Sequence, residues 1–346
     1  MLANRPPNSY DVAQAAGVSQ SAVSRAFSPG RSIAKATKEK VLKAAAELGY
    51  QPNAIARSMS SARTKAVQKS GLVGVVVTQL ENQFFAKIVH TLSLSLQEQG
   101  WQILLFSVES EVDVDPALFE LTQYQVDGVI VLSALMSQKV AQHCRNLSTP
   151  VVVFNRYIKD LDISAVRVDN YAGGRMAADV IVDAKHQYIA HIAGIQEEQT
   201  GVDRELGFCE RLHERGATLY QREVGDYTFD SGYEATQRLL NMQPRPDAIF
   251  CASDLMALGA MHAARTLFGL SIPTDLTIIG FDDVPAAAWP GHQLTTISQP
   301  IEEMGQAAVK TLVSEMENPE TPASQQVFAG KMVLRSSSLS DLYAQI

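Results

Sequence analysis

Residues 9–27 read SYDVAQAAGVSQSAVSRAF, and the spacing of their apolar side chains decides what the first part of the chain is. Val12, Ala13 and Ala16 fall on one short helical face. Gly17-Val18 follows, and Ser19 has the side-chain oxygen needed to cap a second helix carrying Val23 and Phe27 at i, i+4. Pro29-Gly30 breaks the pattern. Beyond it Val41, Ala45 and Leu48 recur at i, i+4 and i+7, and Gly49 ends the run. Three short helices, with a turn of about three or four residues between the first two, make a helix-turn-helix arrangement. After Pro52 the stretch NAIARSMSSART is polar and short and reads as a linker.

Charge separates this segment from the rest. Residues 1–65 hold ten basic side chains and three acidic ones, a net +7, whereas the remainder of the 346-residue chain carries −15. A basic headpiece on an acidic body points to a polyanion met by the first segment alone, the alternative being a solvated basic surface. No stretch of about 18 apolar residues exists, which excludes a membrane-spanning helix. MLANRPPNSYDV lacks the apolar core of a secretory signal. Cys144, Cys209 and Cys251 are odd in number and far apart, unlike a disulfide framework or a zinc site. The expectation is a soluble cytoplasmic protein without metal or cofactor.

From Leu72 onward short apolar runs alternate with amphipathic segments. The runs are LVGVVVT (72–78), QILLFS (102–107), GVIVL (128–132), PVVVF (150–154), YIAHIA (188–193), DAIFCA (247–252) and LTIIGF (276–281). Helical stretches between them include 84–98, 170–184, 201–215, 229–241 and 253–267. Near-continuous Val/Ile runs joined by helices predict parallel sheets covered on both faces, in two successive open α/β units. Such sheets bind ligands at the carboxyl ends of their strands.

Catalytic signatures are missing. The chain has no GxGxxG after a strand, no GxxxxGK[ST], no GxSxG and no HExxH. His186, His191 and His262 fall in or beside core elements, and Asp282-Asp283 after LTIIGF reads equally as a turn or helix cap. No catalytic residues are assigned.

SYDVAQAAGVSQSAVSRAF, followed by TKEKVLKAAAELGYQPNAIARSM, closely resembles the lactose/galactose repressor (LacI/GalR) family of bacterial transcription regulators. The resemblance continues in order through LVGVVVTQLENQFFAKIV, QVDGVIVL, PVVVFNR, VRVDNYAGGRMAA, HIAG, DRELGF, FCASDLMALGAM, IPTDLTIIGFDDVP and LTTISQPIEEMGQAAV. It implies an all-α helix-turn-helix headpiece and a hinge helix, then a two-lobe α/β core like the periplasmic binding proteins, built of parallel sheets flanked by helices. The implied boundaries are 1–52 for the headpiece, 53–70 for hinge and linker, and 71–346 for the effector-binding and dimerisation body. Within the body, lobe one takes about 71–169 and 300–324, and lobe two about 170–298 and 325–341. Three crossovers would lie near Val168–Asn170, Ser298–Pro300 and Ser324–Val327. The implied protein is a homodimeric DNA-binding regulator, a repressor, reading a palindromic operator under control of a small polar effector of the sugar class.

For DNA, family position implies Gln20, Ser21 and Arg25 as base readers, since Arg can donate to guanine O6/N7 and Gln can pair with adenine. Ser9, Tyr10, Ser19 and Ser24 would join them, with serine hydroxyls and helix-start N–H groups suited to phosphates. Asn53 can cap a helix over Ala54–Ser60, too short to persist alone in water, so the hinge would fold on DNA. Ala56 and Met59 belong to that hinge. Met59 matches the family's apolar wedge in a central minor-groove step, or else packs against its dimer mate.

For the effector, matching positions supply Gln79, Asn82, Phe84 and Phe85 from the first strand–helix loop. Asp169, Arg204, Ser253, Asp282 and Gln299 come from other loops. Aromatic faces suit sugar rings, while Asp and Arg hold hydroxyls or carboxylates. Of Phe84 and Phe85, one is expected in the cleft and the other in the core. Arg204 in DRELGF is expected to open a helix and face the cleft; a salt bridge to Asp203 or Glu205 is disfavoured because adjacent helical residues diverge. Two other classes remain in play: a sugar-binding or transport module, and an α/β enzyme on the same core. The headpiece weighs against the first, the empty motif search against the second. RSSSLSDLYAQI at the end has no leucine heptads, which favours a dimer over a larger assembly.

Overall fold

The computed structural model describes residues 5–27, 32–51, 70–110, 113–132, 136–156, 162–196 and 198–339. Helix α1 (Ser9–Ala16) starts on Asn8, whose side chain accepts from the Tyr10 and Asp11 amides while Asp11 reaches back to the Asn8 N–H. Arg5 clamps Asp11 from outside through two hydrogen bonds of 2.8 Å. Gly17 closes α1 at φ +64°, a left-handed conformation that a side chain would strain. Ser19 then caps α2 (Gln20–Ala26) through the Ala22 amide. Helix α3 (Lys35–Leu48) ends on Gly49. Val12, Val23 and Val41, one from each helix, are fully buried together, and Phe27 meets Tyr50 edge-on at 5.9 Å. The chain divides into two compact units between Ser70 and Gly71.

The second unit holds two six-stranded sheets. The first contains β1 (Leu72–Thr78), β2 (Gln102–Val108), β3 (Gly128–Leu132), β4 (Val151–Phe154), β5 (Ser164–Val168) and β11 (Gln325–Phe328), in the order β11-β5-β4-β3-β1-β2 and all parallel. The second contains β6 (Ile189–Ala193), β7 (Gln221–Val224), β8 (Ala248–Cys251), β9 (Thr277–Asp282), β10 (Thr295–Ser298) and β12 (Lys331–Val333). Its order is β12-β10-β9-β8-β6-β7, with β12 alone antiparallel. Val73, Val75 and Val77 pack on one face of the first sheet and Val76 on the other, which is why β1 reads as an unbroken apolar run.

Helices α4 (Gln83–Glu98), α5 (Val114–Gln123), α6 (Gln138–Asn146) and α11 (Ile301–Glu317) go with the first sheet. The others go with the second: α7 (Asn170–Asp183), α8 (Gln199–Glu214), α9 (Phe229–Leu240) and α10 (Asp254–Phe268). The chain passes between lobes after β5 and after β10, and a third time between β11 and β12. That third passage corrects the expected position at Ser324–Val327. Gln325–Phe328 pairs in parallel with Ala165–Val168 and belongs to lobe one, so the crossing falls at Ala329-Gly330. The four residues of β11 form an exposed sheet edge with no apolar period to assign them.

His191 is a core residue of β6. It is fully buried, stacks on Phe250 at 5.0 Å, and its Nδ1 sits 2.9 Å from the Phe250 carbonyl, donating to it. Burial lowers its pKa from 6.5 to about 4, and the Glu205–Arg222 pair adds smaller opposing effects. A base held below its unfolded pKa gives stability that is complete above 6.5 and is lost as pH falls through 6.5 towards 4. About 2 kcal/mol should therefore disappear between pH 7 and pH 5. Urea unfolding of His191→Leu across that range should show a shallower acid loss than the parent; parallel curves would exclude His191 as the source.

Candidate functional site

On α2 the buried Ala22, Val23 and Ala26 alternate with exposed Gln20, Ser21, Ser24 and Arg25. The Gln20 amide donates to Ser9 Oγ at 2.8 Å, which joins the beginnings of α1 and α2. Ser19 and Ser21 hydroxyls lie 2.9 Å apart, and Ser19 Oγ also accepts the Ala22 amide. Tyr10 is 63% exposed beside them. Seven of the expected DNA-facing residues thus occupy one patch of the first unit. Asn53, Ala56 and Met59 lie outside the described residues.

In the second unit a small cavity of about 40 Å³ lies between the carboxyl ends of the two sheets. Lobe one lines it with Thr78, Gln79, Asn82, Phe84, Phe85 and Asn155. Lobe two supplies Glu198, Thr200, Arg204, Tyr227, Ser253 and Asp282. Each set follows the end of a strand, as open α/β sheets require. Asn82 caps α4 by accepting the Phe84 amide at 3.0 Å, which turns the start of that helix into the cavity wall. Contacts that span the lobes include Arg156 Nη2, 2.8 Å from Glu198 Oε1, and the Ala286 amide, which donates to Gln83 Oε1 at 3.2 Å.

Arg204 organises the floor. It is 3% exposed, and its guanidinium lies 3.6 Å over the Phe281 ring. Nε donates to Asn170 Oδ1 at 2.8 Å, Nη1 to the Ala252 carbonyl at 2.5 Å, and Nη2 stands 3.5 Å from Asp282 Oδ1. Asp282 holds a φ of +119°, a strained backbone for an L residue, and accepts from Gln299 Nε2 at 2.8 Å. Burial pushes its carboxyl above the ordinary range, against the pull of Arg204 and Gln299. Behind it the fully buried Asp254 accepts from Thr296 Oγ1 and the Val284 amide, and burial together with Asp282 raises that carboxyl too. Burial also pushes the Tyr227 phenol up to about 12, so it stays a neutral hydroxyl. The result is a site with a planar cation, two carboxyls and several amides and hydroxyls beside aromatic residues. It can hold a polar ring by hydrogen bonds at its edge and contact at its face.

Seven of the nine residues expected at the cleft line it. Gln299 stands one layer back, oriented onto Asp282. Asp169 is a correction: its carboxylate caps α7 through the Ala172 amide at 2.9 Å and does not line the cavity. Phe84 and Phe85 are a second correction, because both rings line the cavity, packed edge-on at 5.3 Å. Arg204 does not open its helix but sits within the second turn of α8, with Glu205 turned away to Arg222. Sequence reasoning missed Thr78, Asn155, Glu198, Thr200 and Tyr227. Asn155 directly follows the run PVVVF and could have been found as a strand-end residue; Glu198 and Tyr227 arrive from loops without periodicity. Among the described residues no group of three His, Cys, Asp or Glu could hold a metal, and no helix is long and apolar enough to cross a membrane.

Residues 10–53 match the family described as "Bacterial regulatory proteins, lacI family", and residues 178–338 match "Periplasmic binding protein-like domain". The chain is 36% identical over 311 residues to the HTH-type transcriptional repressor PurR of Pectobacterium carotovorum subsp. carotovorum, covering 88% of this chain and 89% of that one. A solved structure of a transcriptional regulator CelR–cellobiose complex is 31% identical, covers 96% of this chain and 100% of that chain, and superposes with a TM-score of 0.72. The lac repressor dimer bound to operator and the anti-inducer ONPF is 27% identical, covers 97% and 100%, and superposes with a TM-score of 0.83. An exposed polar patch on a helix-turn-helix, a cavity between the carboxyl ends of two sheets, and relatives matched along nearly their whole length lead to one assignment: the chain belongs to the LacI family of bacterial regulatory proteins and is a DNA-binding regulator of transcription.

Proposed function

We propose that this regulator is a homodimeric repressor of a palindromic operator, switched by a small saccharide or sugar derivative bound between its lobes, and that it acts by binding without turnover. The observation that carries the reading is the Arg204–Asp282 floor facing Phe84 and Phe85 across the cavity. Arg and Asp together match vicinal hydroxyls, and aromatic rings match the C–H face of a sugar. The CelR neighbour, crystallised with cellobiose, supports the ligand class. The test is thermal unfolding of the full chain against neutral sugars, sugar acids, sugar phosphates and nucleosides, followed by operator titration with each hit. A true effector at about 100 Kd stabilises by roughly 2.7 kcal/mol and shifts operator affinity. A hit that stabilises without moving operator affinity would reject it as effector.

On the DNA side, Gln20, Ser21 and Arg25 are proposed to read bases, with Ser9, Tyr10, Ser19 and Ser24 on the backbone. Arg25 is the exposed cation of α2 and can form a bidentate contact with guanine. Arg25→Ala should weaken specific binding by about 1–3 kcal/mol and relax preference at one base pair per half-site. Competition with operators substituted at single positions measures this. Uniform weakening across all sequences would make Arg25 a phosphate contact instead.

A further inference from the structure

A larger cavity lies at the opposite end of lobe one. Its volume is about 390 Å³, within the range of small-molecule sites, and it opens to solvent. Thr149, Pro150 and Val151 bring the start of β4 to it, and Asp162, Ile163 and Ser164 bring the start of β5. The ends of α6 and α11 close its sides. The cleft between the lobes takes Asn155 from just after the other end of β4, so the two cavities stand at opposite ends of one sheet.

Three carboxylates and one cation charge this lining. Asp162 and Glu320 are exposed, Glu315 is half-buried, and the exposed Arg145 turns Nη2 to Gln142 Oε1 at 3.3 Å. Glu315 accepts from the Ser164 hydroxyl, which in turn accepts the Ser324 amide at 2.9 Å. Burial holds the Glu315 carboxyl above its ordinary range, with Ser164 opposing and Asp162 adding to the effect. Helices α6 and α11 both end here, and a helix C-terminus carries partial negative charge. Thr149 is 9% exposed and lines the cavity, and among the described residues its hydroxyl has no hydrogen-bond partner. Pro150, Val151, Ile163 and Pro319 supply apolar wall between these groups. Among the described residues no three carboxylates converge closely enough to hold a metal ion. Separated carboxylates along an apolar wall instead match an alkyl chain with an ammonium group at each end.

We propose that this cavity is a second ligand site, separate from the cleft between the lobes, and that it takes an aliphatic diamine or polyamine. One ammonium meets Glu315 with the Thr149 hydroxyl as a further acceptor, the methylenes lie on Val151 and Ile163, and the outer ammonium meets Asp162 or Glu320. The charge of the ligand follows from three carboxylates against one arginine, and its shape from the apolar wall between them. The proposal is independent of the saccharide reading of the cleft and stands or falls without it.

The test is calorimetric titration of the full chain with putrescine and spermidine, beside butylamine and 1,4-butanediol as partners of matched length. The parent should bind one diamine or triamine per chain, about tenfold more tightly than butylamine, and should not bind the diol. Asp162→Asn/Glu320→Gln changes two exposed side chains and should weaken amine binding by about tenfold at low salt, with the difference shrinking as salt rises. Glu98→Gln/Glu303→Gln removes the same charge from exposed positions outside the lining and should leave affinity within about twofold of the parent. Ala323→Phe fills the cavity without changing charge and should abolish binding. Circular dichroism of each variant confirms that it is folded. The proposal is overturned if neither amine binds, if the diol binds as tightly as putrescine, or if a folded Ala323→Phe protein binds as the parent does. Equal weakening by the two double variants would also overturn it, since it would show attraction to the acidic body as a whole.

Discussion

Arg204→Ala is expected to abolish the response of operator binding to effector while leaving binding of the unliganded protein to operator unchanged. A ligand shifts a conformational equilibrium only by its differential affinity for the two states. Arg204 and Asp282 stand on lobe two, Phe84 and Phe85 on lobe one, so a ligand touching all four favours the lobe arrangement that brings them together. Without the guanidinium the ligand loses its charged contact and the carboxyl of Asp282 loses its cation, keeping only the Gln299 amide. Effector affinity should drop by at least about a hundredfold, since charge-assisted hydrogen bonds contribute roughly 1.5–3 kcal/mol each. For an inducer the variant is a non-inducible repressor; for a corepressor it is a permanently weak binder. The body should also lose about 3–5 kcal/mol, because one partner of a buried ion pair is removed. Circular dichroism and unliganded operator binding therefore serve as the folding control, and Asp282→Asn/Arg204→Ala should recover part of the stability by removing the orphaned carboxylate. An Arg204→Ala protein that is folded and responds to ligand as the parent does would refute the role.

Gly207→Ala should cost about 3 kcal/mol or more, far above the effect of an ordinary helix-surface substitution. A Cβ on Gly207 would stand 2.0 Å from the Tyr171 carbonyl, and one on Gly174 would stand 2.0 Å from the Arg204 carbonyl. Helices α7 and α8 therefore cross with their backbones in contact at both glycines. Helices α9 and α10 repeat the device, with Gly232 against the Met256 carbonyl and Gly259 against that of Phe229. No rotamer change relieves a clash with backbone, so the helices must separate. Because Gly174 abuts the backbone of Arg204, Gly174→Ala should move the guanidinium as well and weaken effector binding. Gly291→Ala, with nothing within 4 Å of its added Cβ, is the control and should stay within about 0.5 kcal/mol of the parent by urea unfolding. Equal midpoints for Gly207→Ala and Gly291→Ala would contradict the close crossing.

The division of labour between sequence and tertiary structure follows from range. Caps and periods are local: Ser19, Gly17 and Gly49 mark their helix ends with the atoms they carry, and Val-rich β1, β3 and β4, with the IIGF run of β9, announce burial on both faces because they are near-continuous apolar runs. The order of motifs placed Gln79, Asn82, Arg204, Ser253 and Asp282 at strand ends or in the loops and helices that follow them, and strand ends converge in this fold. The short edge strands β7, β11 and β12 were beyond such reading. Polar β11 and β12 take their pairing from whichever sheet edge is free, a contact made across more than 150 residues for β11 and β5. The same limit separates Asp169 from Asp282. Both are aspartates at the end of a strand, but one finds the open amides of its own helix and the other finds a guanidinium from a distant one. Sequence alone determined that this chain has a helix-turn-helix followed by two parallel-sheet lobes. Only the tertiary structure decided which side chains share the cleft, because partners in space depend on packing between elements that no local pattern encodes.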